Sequence, residues 1–207
     1  MSVDAVVARI AQLNSVLAPQ PAAPVSTPQP AAPANATFAS LMGQAATGTT
    51  GAAALPATGG TPAGQAMVNL ARQEVGVAEQ PPGSNDSPRI AQYRQATAGS
   101  GVGPWCAYFV SWAARSVGAP LGEQGQGFGS VEQVWDWAQR SGKAIPAGTQ
   151  PPRTGDLIVW GGRHIGMVDS VDPDGTIHTI EGNSSDRVSQ RTYGPDGGGA
   201  TGFVRLG

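Results

Sequence analysis

Apolar positions fall into two regimes along this chain, with helical spacing up to about residue 142 and short strand-like runs after 155. Near the N-terminus Val3, Val6, Ile10, Leu13 and Leu17 recur in alternating three- and four-residue steps, which puts them on one helical stripe. So short a helix is marginal alone in water, so the stripe either docks on a partner or folds only transiently. Phe38, Leu41 and Met42 make a smaller apolar island further on. Thr61-Pro62 predicts a helix start, and Met67, Leu70, Ala71 and Val75 ride that helix toward Gly76. Ser87-Pro88 opens another, carrying Ile90, Ala91 and Tyr93. A third runs from Pro104-Trp105-Cys106 to about Arg115, with Gly118 as its stop. Ser130-Val131-Glu132-Gln133 reads as a capping box ahead of Val134, Trp135 and Trp137.

Beyond residue 155 the runs 156–160, 164–169, 176–181, 188–193 and 202–206 read as strands, and Pro173-Asp174-Gly175 signals a tight turn. Helices first and consecutive strands afterwards predict an α+β fold, its N-terminal helices packed on a mostly antiparallel sheet of about five or six strands.

Charge sharpens the domain boundaries. Of 207 residues only Asp4 and Arg9 are charged before Arg72, and the stretch between is built from Ala, Pro, Thr, Gly and Gln. We read 1–17 as a short amphipathic helix and 18–60 as a flexible linker, since little apolar surface there offsets the entropy of ordering. Residues 61–207 are long enough to bury a core and form the globular domain. A formal charge of −2 without a basic run argues against a nucleic-acid surface. No apolar run approaches the ~20 residues of a membrane span. A compact apolar secretory signal is not evident either, so work outside the cytoplasm implies a dedicated export apparatus or phage-type release.

Candidate chemistry centres on Cys106, the only cysteine. Its place at a helix start favours the thiolate, the nucleophilic form, although a lone buried cysteine is also ordinary packing. Of the two histidines, His164 opens a strand beside the Gly161-Gly162-Arg163 turn, whereas His178 lies on the strand face opposite Glu181 and Asn183. A β-bulge would reverse that parity. On this reading Cys106 attacks a carbonyl, His164 carries the proton, and Glu181 or Asn183 fixes the imidazole tautomer. The Cys106 amide supplies one oxyanion donor, and Trp105 and Tyr93 are candidates for the remaining oxyanion or substrate-binding contacts. One cysteine and two histidines on separate elements do not make an ordinary zinc site.

The ordered segments 104–112, 155–160, 164–168 and 181–183, with 83–90 upstream, closely resemble the CHAP family of cysteine, histidine-dependent amidohydrolases and peptidases in the papain-like clan. The resemblance covers about residues 65–206. It implies a papain-like α+β fold and cleavage of an amide bond in cell-wall peptidoglycan, either between muramic acid and the stem peptide or within the peptides. By position it assigns Cys106, His164 and Glu181 to the family's triad, with Asn183 as a supporting or alternative third member. Some relatives bind calcium ahead of the nucleophile, but Asn85-Asp86-Ser87-Pro88 lacks the dense carboxylates calcium prefers, and neither metal nor cofactor is expected. The start of the chain is similar to leaders on some wall hydrolases associated with bacterial flagella, which would make residues 2–17 a protein-partner contact. The competing readings are a catalytically silent wall-binding or assembly module, and an acyltransferase that resolves the thioester with an amine.

Overall fold

The computed structural model describes residues 59–207. The predicted helix at 1–17 and nearly all of the linker at 18–60 lie outside the described residues. Four helices precede the sheet: α1 (Pro62–Gln73), α2 (Pro88–Arg94), α3 (Cys106–Ser116) and α4 (Val131–Arg140). Thr61 caps α1, its hydroxyl accepting from Gly64 N at 3.0 Å, with Pro62 in the first turn. Ser87 caps α2 through Ile90 N at 3.3 Å. The capping box expected at Ser130 does not form. Ser130 is the N-cap of α4 but makes no side-chain bond to the helix.

Six strands follow: β1 (Ala144–Pro146), β2 (Leu157–Trp160), β3 (His164–Val171), β4 (Ile177–Glu181), β5 (Ser189–Tyr193) and β6 (Gly202–Val204). They form one antiparallel sheet in the order β1-β6-β2-β3-β4-β5. The fold is therefore α+β, as the pattern of runs predicts. Strand β1 has no counterpart among the predicted runs. Asp172 and Gly175 close the β3–β4 turn, where Pro173-Asp174-Gly175 predicts it.

Alternation along the strands separates two cores. Leu157, Val159, Ile165, Met167, Ile180 and Val204 join the helices in the larger one. Ile158, Trp160, Val168, Ile177 and Phe203 form a smaller one on the other face. Helix α3 is buried along most of its length and packs through Phe109 on the end of β4. The contact is close: a β-carbon on Gly182 would stand 2.6 Å from Phe109 Cβ. Arg205 grips the buried Asp156 at the head of β2 with two bonds, at 2.9 and 2.7 Å, a bidentate geometry that ties the start of β2 to the end of β6.

Candidate active site

Helix α3 begins at Cys106 itself, with Trp105 as N-cap and the first helical bond running from Phe109 N to Trp105 O at 3.0 Å. Pro104 thus lies just outside the helix rather than in its first turn. The Cys106 amide occupies the first helical position, where an N–H has no partner within the helix. The thiol is almost wholly buried, at 4% exposure.

His164 is the first residue of β3, set between the Gly161-Gly162-Arg163 turn and the paired strand. Its Nε2 lies 2.8 Å from Glu181 Oε2. A carboxylate only accepts, so Nε2 carries a proton, and Nδ1 is the ring nitrogen left to face Cys106, which lies near enough to influence the imidazole. Trp160, opposite His164 in the β2–β3 register, stacks on the imidazole with centroids 5.5 Å apart and planes 26° from parallel. Trp160 is itself pinned by its Nε1 donating to Gly197 O at 2.8 Å. Burial is the largest influence on His164 and works against its charge. The bonds to Cys106 and Glu181, and the negative charge of each, outweigh it and hold the pKa up at about 9.

Glu181, 1% exposed at the end of β4, has both oxygens engaged. Oε2 faces His164, while Oε1 accepts from Thr179 Oγ1 at 2.6 Å and Tyr193 OH at 2.9 Å. Burial pushes this carboxyl upward, yet His164 and the two hydroxyls leave it below its ordinary value. Tyr193 is pushed up to about 12, by burial first and then by its bond to Glu181. Glu181 reaches His164 because Gly166 has no side chain in the way: a β-carbon there would stand 2.6 Å from Glu181 Cγ.

The register irregularity in β3 falls between Val168 and Ser170, and β4 itself runs without a bulge. His178 accordingly points away from Glu181. Its Nε2 meets Asp172 Oδ2 at 2.8 Å, and its Nδ1 meets Thr192 Oγ1 at 3.3 Å.

Asn183 is not the partner of His164. Its backbone has φ 57°, and its amide turns toward the residue before the nucleophile; with the amide oxygen and nitrogen exchanged to suit their neighbours, it accepts from Trp105 N at 3.1 Å and donates to Glu79 Oε1 at 3.3 Å. Tyr93 is not in the site either. It is fully buried between the helices, packs on Trp105, Phe109 and Trp112, and donates to Glu74 Oε2 at 2.6 Å. The Trp105 side chain is also fully buried, so it meets no substrate; it anchors the nucleophile's helix from within.

That anchor depends on Glu79, a residue the sequence pattern does not single out. Glu79 is a buried carboxylate whose Oε1 accepts Trp105 Nε1 at 2.9 Å and whose Oε2 accepts Asn85 N at 2.8 Å. Together with Asn183 it ties three segments, at 79–85, 105 and 183, to the start of α3. The one sequence signal for it is an acid in an otherwise uncharged Pro/Gly-rich stretch, Gln80 to Asn85.

A buried thiol at a helix start, an imidazole with a fixed tautomer and an engaged carboxylate have the form of a nucleophile, base and orienting group. Residues 97–183 match the family model described as CHAP domain, a segment running from just before α3 to Asn183. No curated protein matches the chain significantly. Among solved structures, the chain is similar to an N-acetylmuramoyl-L-alanine amidase from Staphylococcus aureus, with 18% identity and TM-score 0.40 over 53% of this chain and 33% of that one. It is also similar to the peptidoglycan hydrolase RipB from Mycobacterium tuberculosis, with 19% identity and TM-score 0.41 over 69% of this chain and 63% of that one. The matched parts come to less than two thirds of either structure's own length.

Proposed function

We propose that this chain is a peptidoglycan hydrolase that cleaves an amide bond through a thioester on Cys106. The observation that carries the reading is the 2.8 Å bond from His164 Nε2 to the buried Glu181, with Cys106 near enough to influence the imidazole, all within the segment that matches the CHAP domain. With its pKa held at about 9, His164 already carries the thiol's proton on Nδ1 at neutral pH, and Cys106 Sγ bonds to the scissile carbonyl carbon as the carbonyl π electrons move onto oxygen. The Cys106 amide donates to the oxyanion that develops. As the tetrahedral intermediate collapses, the C–N bond breaks and His164 returns the proton to the leaving amine. Water then adds to the thioester, giving its proton to His164. The carboxylic acid leaves and the thiol is restored. Glu181 keeps Nε2 protonated throughout and balances the imidazolium.

The reading places the work at the cell wall, outside the cytoplasm, and gives residues 2–17 the role of a protein contact. The test compares wild type and Cys106→Ala on purified peptidoglycan by turbidity and released amines. Wild type clears the wall and releases amines while Cys106→Ala does neither. Equal activity in the two would remove the enzyme reading and leave a wall-binding module. Product mass with an added amine separates hydrolysis from acyl transfer.

A further inference from the structure

A groove of about 420 Å³ opens beside His164 and Glu181 without reaching Cys106. Its walls include Trp160 and Arg163 on one side and Ser184, Ser185 and Tyr193 on the other. The Arg163 side chain is exposed and, among the described residues, makes no hydrogen bond or ion pair. Arg191 donates to the hydroxyls of Ser184 at 3.0 Å and Ser185 at 2.7 Å, and Arg187 Nε donates to Ser185 O at 3.3 Å. Both Arg163 and Arg191 lie close enough to Tyr193 for their charges to act on its hydroxyl. The sequence has no basic run, yet folding puts Arg163 in the groove wall and brings Arg187 and Arg191 onto Ser184 and Ser185, two other wall residues, on a chain whose net charge is −2.

The acid–base balance of the groove is one-sided. Glu181 is the one carboxylate in its wall, and that group is consumed by His164, Thr179 and Tyr193. An unpaired guanidinium beside hydroxyls and a stacked indole suits a carboxylate carried on a short peptide. Position says which part of the substrate this is. His164 delivers the proton to the leaving amine, so the chain continuing from that amine runs past His164 into the groove.

We propose that this groove is the subsite for the leaving half of the substrate, and that Arg163 selects a free carboxylate there over its carboxamide. The proposal deepens the hydrolase reading and rests on it for the direction of the substrate. A charge-assisted bond to an exposed Arg is worth roughly a tenfold preference.

The probes are N-acetylmuramoyl-L-alanyl-D-glutamate and its α-carboxamide, N-acetylmuramoyl-L-alanyl-D-isoglutamine. Their binding is measured by calorimetry to full-length Cys106→Ala and to Cys106→Ala/Arg163→Gln, so the readout does not require turnover. Cys106→Ala is expected to bind the acid about tenfold tighter than the amide, and the double variant to bind both alike, with unchanged amide affinity. An equal loss on both probes in the double variant, or no preference in Cys106→Ala, overturns the subsite. Arg163→Gln is exposed and partnerless, so an unchanged melting temperature is the expected folding control. Turnover of peptidoglycan by wild type is scored separately: its absence overturns the hydrolase reading, whereas the binding preference alone decides the subsite.

Discussion

Glu181 lies across Gly166, occupying the volume that any side chain at residue 166 would claim, with 2.6 Å between its Cγ and the position of a β-carbon there. The neighbouring strands bring these residues side by side, and the absent side chain lets the carboxylate run along the sheet to His164. Gly166→Ala forces one of them to move. Activity is expected to fall about 10–100-fold through a displaced Glu181, and stability by about 1–3 kcal/mol. Wall-clearing rates and thermal melting check both; wild-type turnover in Gly166→Ala would show that Glu181 does not need this path.

Glu181→Gln keeps the shape but offers one acceptor oxygen where the carboxylate serves His164, Thr179 and Tyr193. Turnover is expected to drop about 10²–10⁴-fold with little change in KM, because the imidazole loses its tautomer and its counter-charge. Steady-state kinetics on a soluble wall fragment separates kcat from KM. His178→Ala, by contrast, removes a partly exposed pair with Asp172 and a bond to Thr192, both away from Glu181, and activity is expected to stay near wild type. A dead His178→Ala beside an active His164→Ala would reassign the base.

The pH dependence follows from His164 and Glu181. The folded pKa of His164 is held up to about 9 against an ordinary 6.5, so its contribution to stability is complete below about 6.5 and is lost as pH rises through about 9. Glu181 is lowered, so its contribution is present above the ordinary carboxylate range and lost as pH falls through its depressed value. Turnover should therefore be bell-shaped with an alkaline limb near 9. In Cys106→Ala the His164 midpoint should move down, since both the bond and the charge of Cys106 act to raise it. Ring-proton NMR titration measures the shift; an unmoved midpoint would break the proposed coupling of thiol and imidazole.

Glu79→Gln tests the anchor of the nucleophile. A glutamine has one acceptor for the Trp105 indole and the Asn85 amide, so one donor is orphaned, at a cost of about 1–3 kcal/mol. We expect a lower melting temperature and a lower kcat at nearly constant KM. An unaltered kcat in a destabilised variant would confine Glu79 to a structural role.

The α+β fold was legible because its elements have local signatures. Pro62 and Pro88 mark helix starts, Gly118 marks a stop, and the strands from 157 on are short apolar or alternating runs. Strand β1 was not, because Ala144-Ile145-Pro146 is too short to show a period and owes its conformation to pairing with β6. The capping box failed at Ser130, which is the N-cap of α4 but makes no side-chain bond to the helix. Within the candidate site, Cys106 and His164 stood out by position and strand parity, while parity put Glu181 and Asn183 on one face and left the choice between them open. Asn183 and Tyr93 could not be placed, since a left-handed backbone turns one toward Trp105 and a bond to Glu74 holds the other in the core. Glu79 and Gly166 matter only through partners far away in sequence, and no local pattern reports such a pairing.

The indole stacked on His164 gives the protein an internal optical gauge. Trp160 emission is expected to respond to whether the ring beneath it carries a proton, because the imidazole lies stacked on the indole. The difference between wild-type and Trp160→Phe fluorescence, followed against pH, thus reads the charge of His164 in the resting protein without substrate, label or turnover.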